Sequence, residues 1–259
     1  MKPDYKNWMP RGMIWGTLAL SAVSFALSAA AGRQGSAWSK GAAGALLLCG
    51  GAALGAAAWM NKLYWAFSYD GKRQMSRQII QGTAECVHLP EGGIGLDVGC
   101  GSGALTIACA KRNPQARMIG MDRWGKEYAS FSKKLCESNA EAEGVENVSF
   151  QNGDAVKLAF PDESFDAVTS NYVYHNIPSR DRKILLRETL RVLKKGGCFA
   201  IHDIMSASKY GDMEEFVQAL RQESFERVEL IDTTNGKFMS PGEAKWMGLS
   251  GSALLVGIK

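Results

Sequence analysis

Gly92-Gly-Ile-Gly-Leu-Asp-Val-Gly-Cys-Gly-Ser-Gly-Ala-Leu-Thr106 carries the strongest structural signal in the chain. A short apolar strand, Ile94 to Val98, runs into a turn holding Gly99, Gly101 and Gly103. An apolar-periodic helix follows, ending near Lys111-Arg112-Asn113-Pro114. Glycines at such a turn take conformations closed to other residues and let the backbone approach a ligand. Gly99 to Ala104 also satisfies the relaxed dinucleotide fingerprint, so the glycines alone do not name the ligand. Asp97 separates the two cases. A carboxylate at the end of the first strand opposes a pyrophosphate lying on the helix N-terminus, and suits a ligand with a positive group.

Outward from this turn, strand-like and helix-like stretches alternate. The strand 116–122 ends in Asp122, about twenty residues past the glycines, where doubly wound folds bind ribose hydroxyls. A helix over about 125–143 precedes a third strand, Val148 to Gln151, which ends at Asn152-Gly153-Asp154-Ala155. The fourth strand, Phe165 to Ser170, opens into Asn171-Tyr-Val-Tyr-His-Asn-Ile177. A helix over about 180–194 stops at Lys195-Gly196-Gly197, and the fifth strand is Cys198 to Asp203. Two further strands lie near 225–231 and 253–258. Such alternation implies a parallel sheet covered by helices on both faces.

The Asp97-Val-Gly-Cys-Gly-Ser-Gly103 run resembles the first motif of class I S-adenosylmethionine (SAM)-dependent methyltransferases, of the small-molecule, type 11-like kind. Asp122, Asp154 and Leu193-Lys-Lys-Gly-Gly197 follow in register, and the resemblance covers about residues 75–259. It implies an α/β fold, a Rossmann-like doubly wound seven-stranded sheet whose last two strands form an antiparallel hairpin. It implies SAM as cofactor, held by Asp97, Gly99, Cys100, Gly101, Gly103, Asp122, Arg123, Asp154, Ala155 and Asn171. In that family the residue matching Asp154 receives the adenine amino group, and the amide matching Ala155 meets the ring.

The same resemblance places the acceptor side after the fourth strand, making Tyr172, Tyr174 and His175 the catalytic candidates, with Asn176 beside them. An imidazole titrates near neutral pH, so His175 suits a base or an orienting group; capping the next helix is the plainer role. His202 and Asp203 end the fifth strand facing the same cleft. Trp124 is placed to pack on adenine or simply to pack, and His88 reads as a structural residue on the helix before the first strand. The six cysteines are scattered, without CxxC or His–Cys spacing, so no metal site is expected; reduced thiols point to a cytosolic face.

The first sixty residues are of another kind. Residues 13–32 and 41–60 hold no charged side chain, each long enough to cross a bilayer. Five of the seven tryptophans (Trp8, Trp15, Trp38, Trp59, Trp65) lie near the ends of these stretches, where indole rings favour the headgroup zone. We therefore expect an all-α transmembrane helical hairpin over 1–61, a juxtamembrane linker over 62–74 and the methyltransferase domain over 75–259. Gly51 and Gly55 have the spacing that lets helices approach closely. A cleaved signal peptide and a re-entrant second segment are the competing interpretations. Lys2, Lys6, Arg11, Lys62, Lys72 and Arg73 flank the hairpin, against Arg33 and Lys40 in its loop, which puts the catalytic domain in the cytoplasm.

A net charge of +4 without a basic cluster argues against a nucleic-acid partner. The expected activity is a membrane-anchored methyl transfer to a small, lipophilic acceptor. Apolar stretches at Leu63–Tyr69 and around Phe238, Met239, Trp246 and Met247 are placed to roof the site or touch a bilayer. The alternatives are a tethered methyltransferase of a soluble small molecule and a non-catalytic SAM-binding membrane scaffold.

Overall fold

The computed structural model describes residues 2–125, 130–223 and 225–259. The chain forms two compact units, one of residues 7–76 and one of residues 77–259 together with the first six.

The smaller unit is a pair of long helices, α1 (Arg11–Gly32) and α2 (Ala37–Phe67), both long and apolar enough to cross a membrane. Ser36 caps α2, its hydroxyl accepting from the Ser39 amide at 3.0 Å. The helices are antiparallel: Ser21 Oγ donates to the Gly50 carbonyl (2.8 Å) and Ser28 Oγ to that of Ala43 (2.7 Å). Ala43, Gly50, Ala53 and Ala57 face α1 at coiled-coil spacing, and a Cβ on Gly50 would fall 2.7 Å from the Phe25 ring. Small and polar groups thus dominate the seam, with Phe25 packed over Gly50, while most of the large apolar side chains point outward. Eleven of the thirteen exposed large hydrophobics among the described residues lie between Met13 and Trp65.

Two expectations are corrected here. Gly51 and Gly55 face away from α1, with no atom within 4 Å of where an added Cβ would stand, so this pair does not form the seam. The stretch expected as a linker is helical through Phe67, because 61–67 lacks glycine and proline and continues the buried register of Met60, Leu63 and Phe67.

In the larger unit, β1 (Ile94–Val98), β2 (Arg117–Asp122), β3 (Val148–Asn152), β4 (Phe165–Asn171), β5 (Leu193–Ile204), β6 (Arg227–Asp232) and β7 (Ser252–Ile258) form one sheet in the order β3-β2-β1-β4-β5-β7-β6. The first five strands are parallel, and β7 is inserted antiparallel between β5 and β6. The winding reverses at β1, whose neighbours are β2 and β4. The carboxyl ends of β1 and β4 therefore border a crevice, the place where open α/β sheets bind ligands.

The helices are α3 (Met75–Ala84), α4 (Ala104–Arg112), α5 (Lys133–Ala142), α6 (Lys183–Arg191), α7 (Ala207–Tyr210), α8 (Met213–Gln222) and α9 (Pro241–Met247). Ser132 starts α5 by accepting from the Leu135 amide (3.1 Å), later than the expected position near 125; residues 126–129 lie outside the described residues. Helix α6 stops before 194 because Leu193 already pairs with Phe165 in the sheet. His88 lies beyond the end of α3, its carbonyl accepting from Cys198 Sγ. The first residues belong to this unit: the Asp4 amide donates to Asn139 Oδ1 (2.7 Å), and Tyr5 Oη to Glu143 Oε1 (3.2 Å).

The core joins Leu96 and Val98 of β1 to Val168, Phe199, Ile201 and Leu255, all buried. Two carboxylates are buried in this unit, Asp97 on β1 and Asp203 on β5. Asp97 is 1% exposed and accepts Thr106 Oγ1 from α4 at 2.6 Å and Thr169 Oγ1 from β4 at 3.0 Å.

Two stability predictions follow from this packing. A Cβ at Gly257 in β7 would lie 2.0 Å from the Arg227 carbonyl and 2.6 Å from the Phe199 ring. Gly257→Ala is expected to lower the unfolding free energy by about 1–3 kcal/mol or more, while Gly242→Ala leaves it nearly unchanged, in denaturant titrations. Burial pushes Asp97 up to about 6, the two threonine hydroxyls pulling back only part of the shift. The folded chain thus holds this proton more tightly than the unfolded one, and the stability linked to it is lost as pH rises through 6. Without SAM, Asp97→Asn should be more stable than the parent at pH 7 by roughly 2–3 kcal/mol, the gap closing below about pH 4.

Candidate active site

The turn after β1 is held from two sides. The amides of Gly99 and Cys100 both donate to the Met121 carbonyl, at 2.7 and 3.0 Å. Asp122, at the end of β2, accepts the Gly101 amide on Oδ2 and the Trp124 amide on Oδ1, both at 2.8 Å. Trp124 then folds back, its Nε1 donating to the Gly101 carbonyl at 2.9 Å, a posture that requires φ of +44°. At Gly99, φ is +74° and a Cβ would lie 2.4 Å from Val173 of the segment after β4, so only glycine lets the two carboxyl ends approach. Gly101 is open by contrast, with Phe131 no nearer than 3.9 Å to an added Cβ.

Of the expected cofactor residues, Gly101, Gly103, Asp122, Arg123, Asp154 and Ala155 lie along the carboxyl ends of β1, β2 and β3. Asp154 is exposed, with Oδ1 accepting the Val156 amide at 2.8 Å, and Ala155 is half-buried beside it. Arg123 is exposed, and its carbonyl accepts Asn152 Nδ2. Asp122 keeps acceptor capacity beyond its two amides, since a carboxylate offers about four lone-pair directions. An open glycine flanked by carboxylates at successive strand ends fits a nucleoside carrying a cationic tail. Asp97 does not open to this crevice. Its carboxylate lies inside the unit on two hydroxyls, because β1 is covered on both faces. Cys100 is also buried, which pushes its thiol well up.

The segment after β4 is pinned by two adjacent residues of β5. Neighbouring residues on a strand point to opposite faces, so His202 and Asp203 serve different clusters. His202 is fully buried and burial lowers it to about 3, so the ring is neutral. Its Nδ1 lies 2.9 Å from Asn171 Oδ1 and its Nε2 2.9 Å from Thr233 Oγ1. This corrects its expected place in the cleft, and it commits the Asn171 side chain as well. Tyr172 (φ +54°) packs edge-to-face on His202 at 4.6 Å between centroids. Ser252 Oγ gives its own proton to the Leu249 carbonyl, so Tyr172 Oη donates to that oxygen at 2.9 Å. Burial raises this phenol, which is a donor rather than a base.

On the opposite face, Asp203 accepts four hydrogen bonds: from the His175 amide (3.1 Å), His175 Nδ1 (2.5 Å), the Ile204 amide (2.7 Å) and Tyr210 Oη (2.9 Å). Burial alone would push Asp203 up, but His175, Tyr210 and the Ile204 amide together hold it below the usual carboxylate range. An ionised carboxylate only accepts, so Nδ1 of His175 carries a proton, and in the neutral ring Nε2 is the acceptor. His175 is partly exposed, at 16% of its side chain. Arg182 braces the turn, donating to the carbonyls of Tyr174 (3.1 Å) and Lys209 (2.9 Å).

Tyr174, expected beside the acceptor, is instead fully buried. The 3₁₀ turn 174–176 directs its ring into the core, where its hydroxyl meets Thr189. Tyr210 and Arg182 carry no signal in the sequence, since neither sits in a recognisable spacing with Asp203. The insert before β7 is also inward: Phe238, Met239 and Met247 are buried, and Phe238 packs 5.4 Å from the His202 ring. They are core residues rather than a roof.

Residues 96–201 match the family described as a methyltransferase domain. A demethylmenaquinone methyltransferase of Geobacillus stearothermophilus is 36% identical over 112 residues, covering 43% of this chain and 45% of that protein. The chain thus spans under half the length of this curated relative. The crystal structure of the cyclase SpnF covers 75% of this chain and 86% of its own, with 21% identity and a TM-score of 0.55. A geranyl diphosphate methyltransferase in complex with GPP and sinefungin covers 76% and 84%, with 13% identity and a TM-score of 0.57. These two solved structures share the fold. Family match, sheet order and glycine turn agree: residues 96–201 are a methyltransferase domain, and the larger unit has the fold of class I SAM-dependent methyltransferases.

Proposed function

We propose that this chain is a membrane-anchored enzyme that methylates a small, apolar acceptor, with His175 taking the acceptor's proton. The observation that carries the chemistry is the His175–Asp203 contact, which fixes the ring's tautomer and aims the remaining nitrogen away from the carboxylate. SAM, when bound, supplies an electrophilic methyl group on a sulfonium. Everything else is the chain's own work. Asp122 holds the ribose hydroxyls with Arg123 beside it, and Asp154 with the Ala155 amide receives the adenine edge. Gly101 lets the backbone come close, and Asp97 supplies negative charge from inside the turn.

Methyl transfer is an in-line displacement, so positioning dominates, and a base is needed only for an acceptor that must lose a proton. A hydroxyl, thiol or ring carbon activated by a hydroxyl meets that condition. Asp203 stabilises the imidazolium that forms on His175, and Tyr210 and Arg182 keep both groups in place. The relatives named demethylmenaquinone methyltransferase support an apolar ring as acceptor, and the outward-facing apolar side chains of α1 and α2 support attachment to a bilayer. The flanking Lys and Arg residues support a cytoplasmic catalytic unit.

The test is incubation of the purified chain with radiolabelled SAM and membrane extract, followed by partition between organic and aqueous phases. Label should enter the organic phase; label confined to water would overturn the apolar acceptor. His175→Gln is expected to lower kcat by about 10²–10⁴-fold with SAM affinity unchanged, and raising the pH should restore part of the rate as the acceptor ionises unaided. An unchanged kcat removes His175 as the base. Asp122→Ala should weaken SAM binding about tenfold to a hundredfold in calorimetric titration, the size of a lost charge-assisted contact.

A further inference from the structure

A groove runs between α1 and α2 at the end of the hairpin that holds the first turn of α1 and the last turns of α2. Its cavity measures about 550 Å³, with Arg11, Trp15 and Leu18 on one wall and Leu54, Asn61 and Tyr64 on the other. Polarity changes along its length. Arg11, its guanidinium 4.8 Å from the Tyr64 ring centroid, and Asn61 lie toward one end, and Leu18 and Leu54 toward the other. From Arg11 to Leu18 the helix rises about 10 Å, roughly the depth from a headgroup to the first part of an acyl chain.

Charge identifies what fits. Residues 5–69 hold Lys6, Arg11, Arg33, Lys40 and Lys62 and not one Asp or Glu. Asp4 and Asp70 lie just outside this stretch, so the two helices and their loop are themselves strongly net positive, and an anionic ligand complements that charge. We infer that the groove binds one anionic phospholipid, its phosphate on Arg11 and Asn61 and one acyl chain along Leu18 and Leu54. A guanidinium meets phosphate oxygens through paired donors, a match that a neutral headgroup does not reproduce. Trp15 and Trp65 beside the groove suit the headgroup level. The volume lies within the range of small-molecule sites.

The inference rests on the membrane attachment proposed above, and the experiment separates the two. The full chain is inserted into phosphatidylcholine nanodiscs containing a minor fraction of phosphatidylglycerol, released, and weighed by native mass spectrometry. One phosphatidylglycerol should be retained about tenfold over phosphatidylcholine, as one charge-assisted contact allows. Arg11→Gln should abolish that preference, and Ala58→Phe, at a residue that also lines the groove, keeps the charge while filling the groove and should displace the lipid. Arg33→Gln, at the opposite end, should leave both unchanged. Equal retention of the two lipids by the parent, a preference that survives Arg11→Gln, or displacement by a neutral isoprenoid quinone overturns the site. Alkaline carbonate that strips the chain from vesicles overturns the membrane attachment itself, whereas a chain that stays inserted without preference overturns only the lipid site.

Discussion

The centre of the larger unit is organised around a carboxylate that water does not reach. Asp97 accepts one hydroxyl from α4 and one from β4, so a single side chain ties together the strand where the winding reverses, the helix that follows it and the next strand over. Burying such a group is costly, and its raised pKa records the cost. The position explains why the group sits there. It lies two residues before Gly99, where the chain must leave the sheet, turn through three glycines of positive φ and enter α4. Asp122 grips the same turn through backbone amides. With one carboxylate inside the turn and another at its rim, the glycines are held in shape before a ligand arrives, which lowers the ordering cost of binding.

The segment after β4 obeys a related constraint. The chain after β4 is strained at Tyr172, and such strain persists only where surrounding contacts over-determine the backbone. Those contacts come from consecutive residues of β5. His202 and Asp203 point to opposite faces, one holding Asn171 and the Tyr172 ring, the other holding His175 by its amide and its imidazole. The two clusters have opposite electrostatic characters. His202 is stripped of charge by burial, while Asp203 keeps its charge through four donors. A polar network satisfied on every member rigidifies a site, and here it orients the one partly exposed imidazole of the segment.

Much of this architecture was readable from residue order, and the limits have physical causes. The strand runs, the glycine turn and the carboxylates at strand ends follow from apolar periodicity and turn chemistry, and the sheet realises them nearly residue for residue. Side-chain direction was not readable. Tyr172, Tyr174 and His175 lie in or beside a short 3₁₀ turn, where a small change of backbone angle exchanges inward and outward positions. Likewise Phe238 and Met239 have the composition of a roof, and only packing beneath His202 and against Gly82 makes them core. In α2 nearly every position is apolar or small, so no amphipathic stripe sets the helix phase. The seam is set by the serine-to-carbonyl bonds and Gly50, which leaves Gly51 and Gly55 outside.

That seam bears on where the hairpin belongs. Ordering a backbone costs about 1–2 kcal/mol per residue, and in water the return comes mainly from apolar area buried between elements. A seam mostly of Ser, Gly and Ala, with Phe25 over Gly50, buries modest apolar area, while Trp15, Leu48 and Trp59 turn their surfaces outward. Within the hairpin, water therefore gives these two helices little reason to persist. Hydrocarbon supplies one, because it forces every backbone amide to pair within its own helix and accepts the outward side chains without penalty. Small residues and hydroxyl-to-carbonyl bonds are then the interactions left to join the helices. The inside-out distribution of side chains, rather than hydropathy alone, is what favours a bilayer as the solvent for residues 11–67.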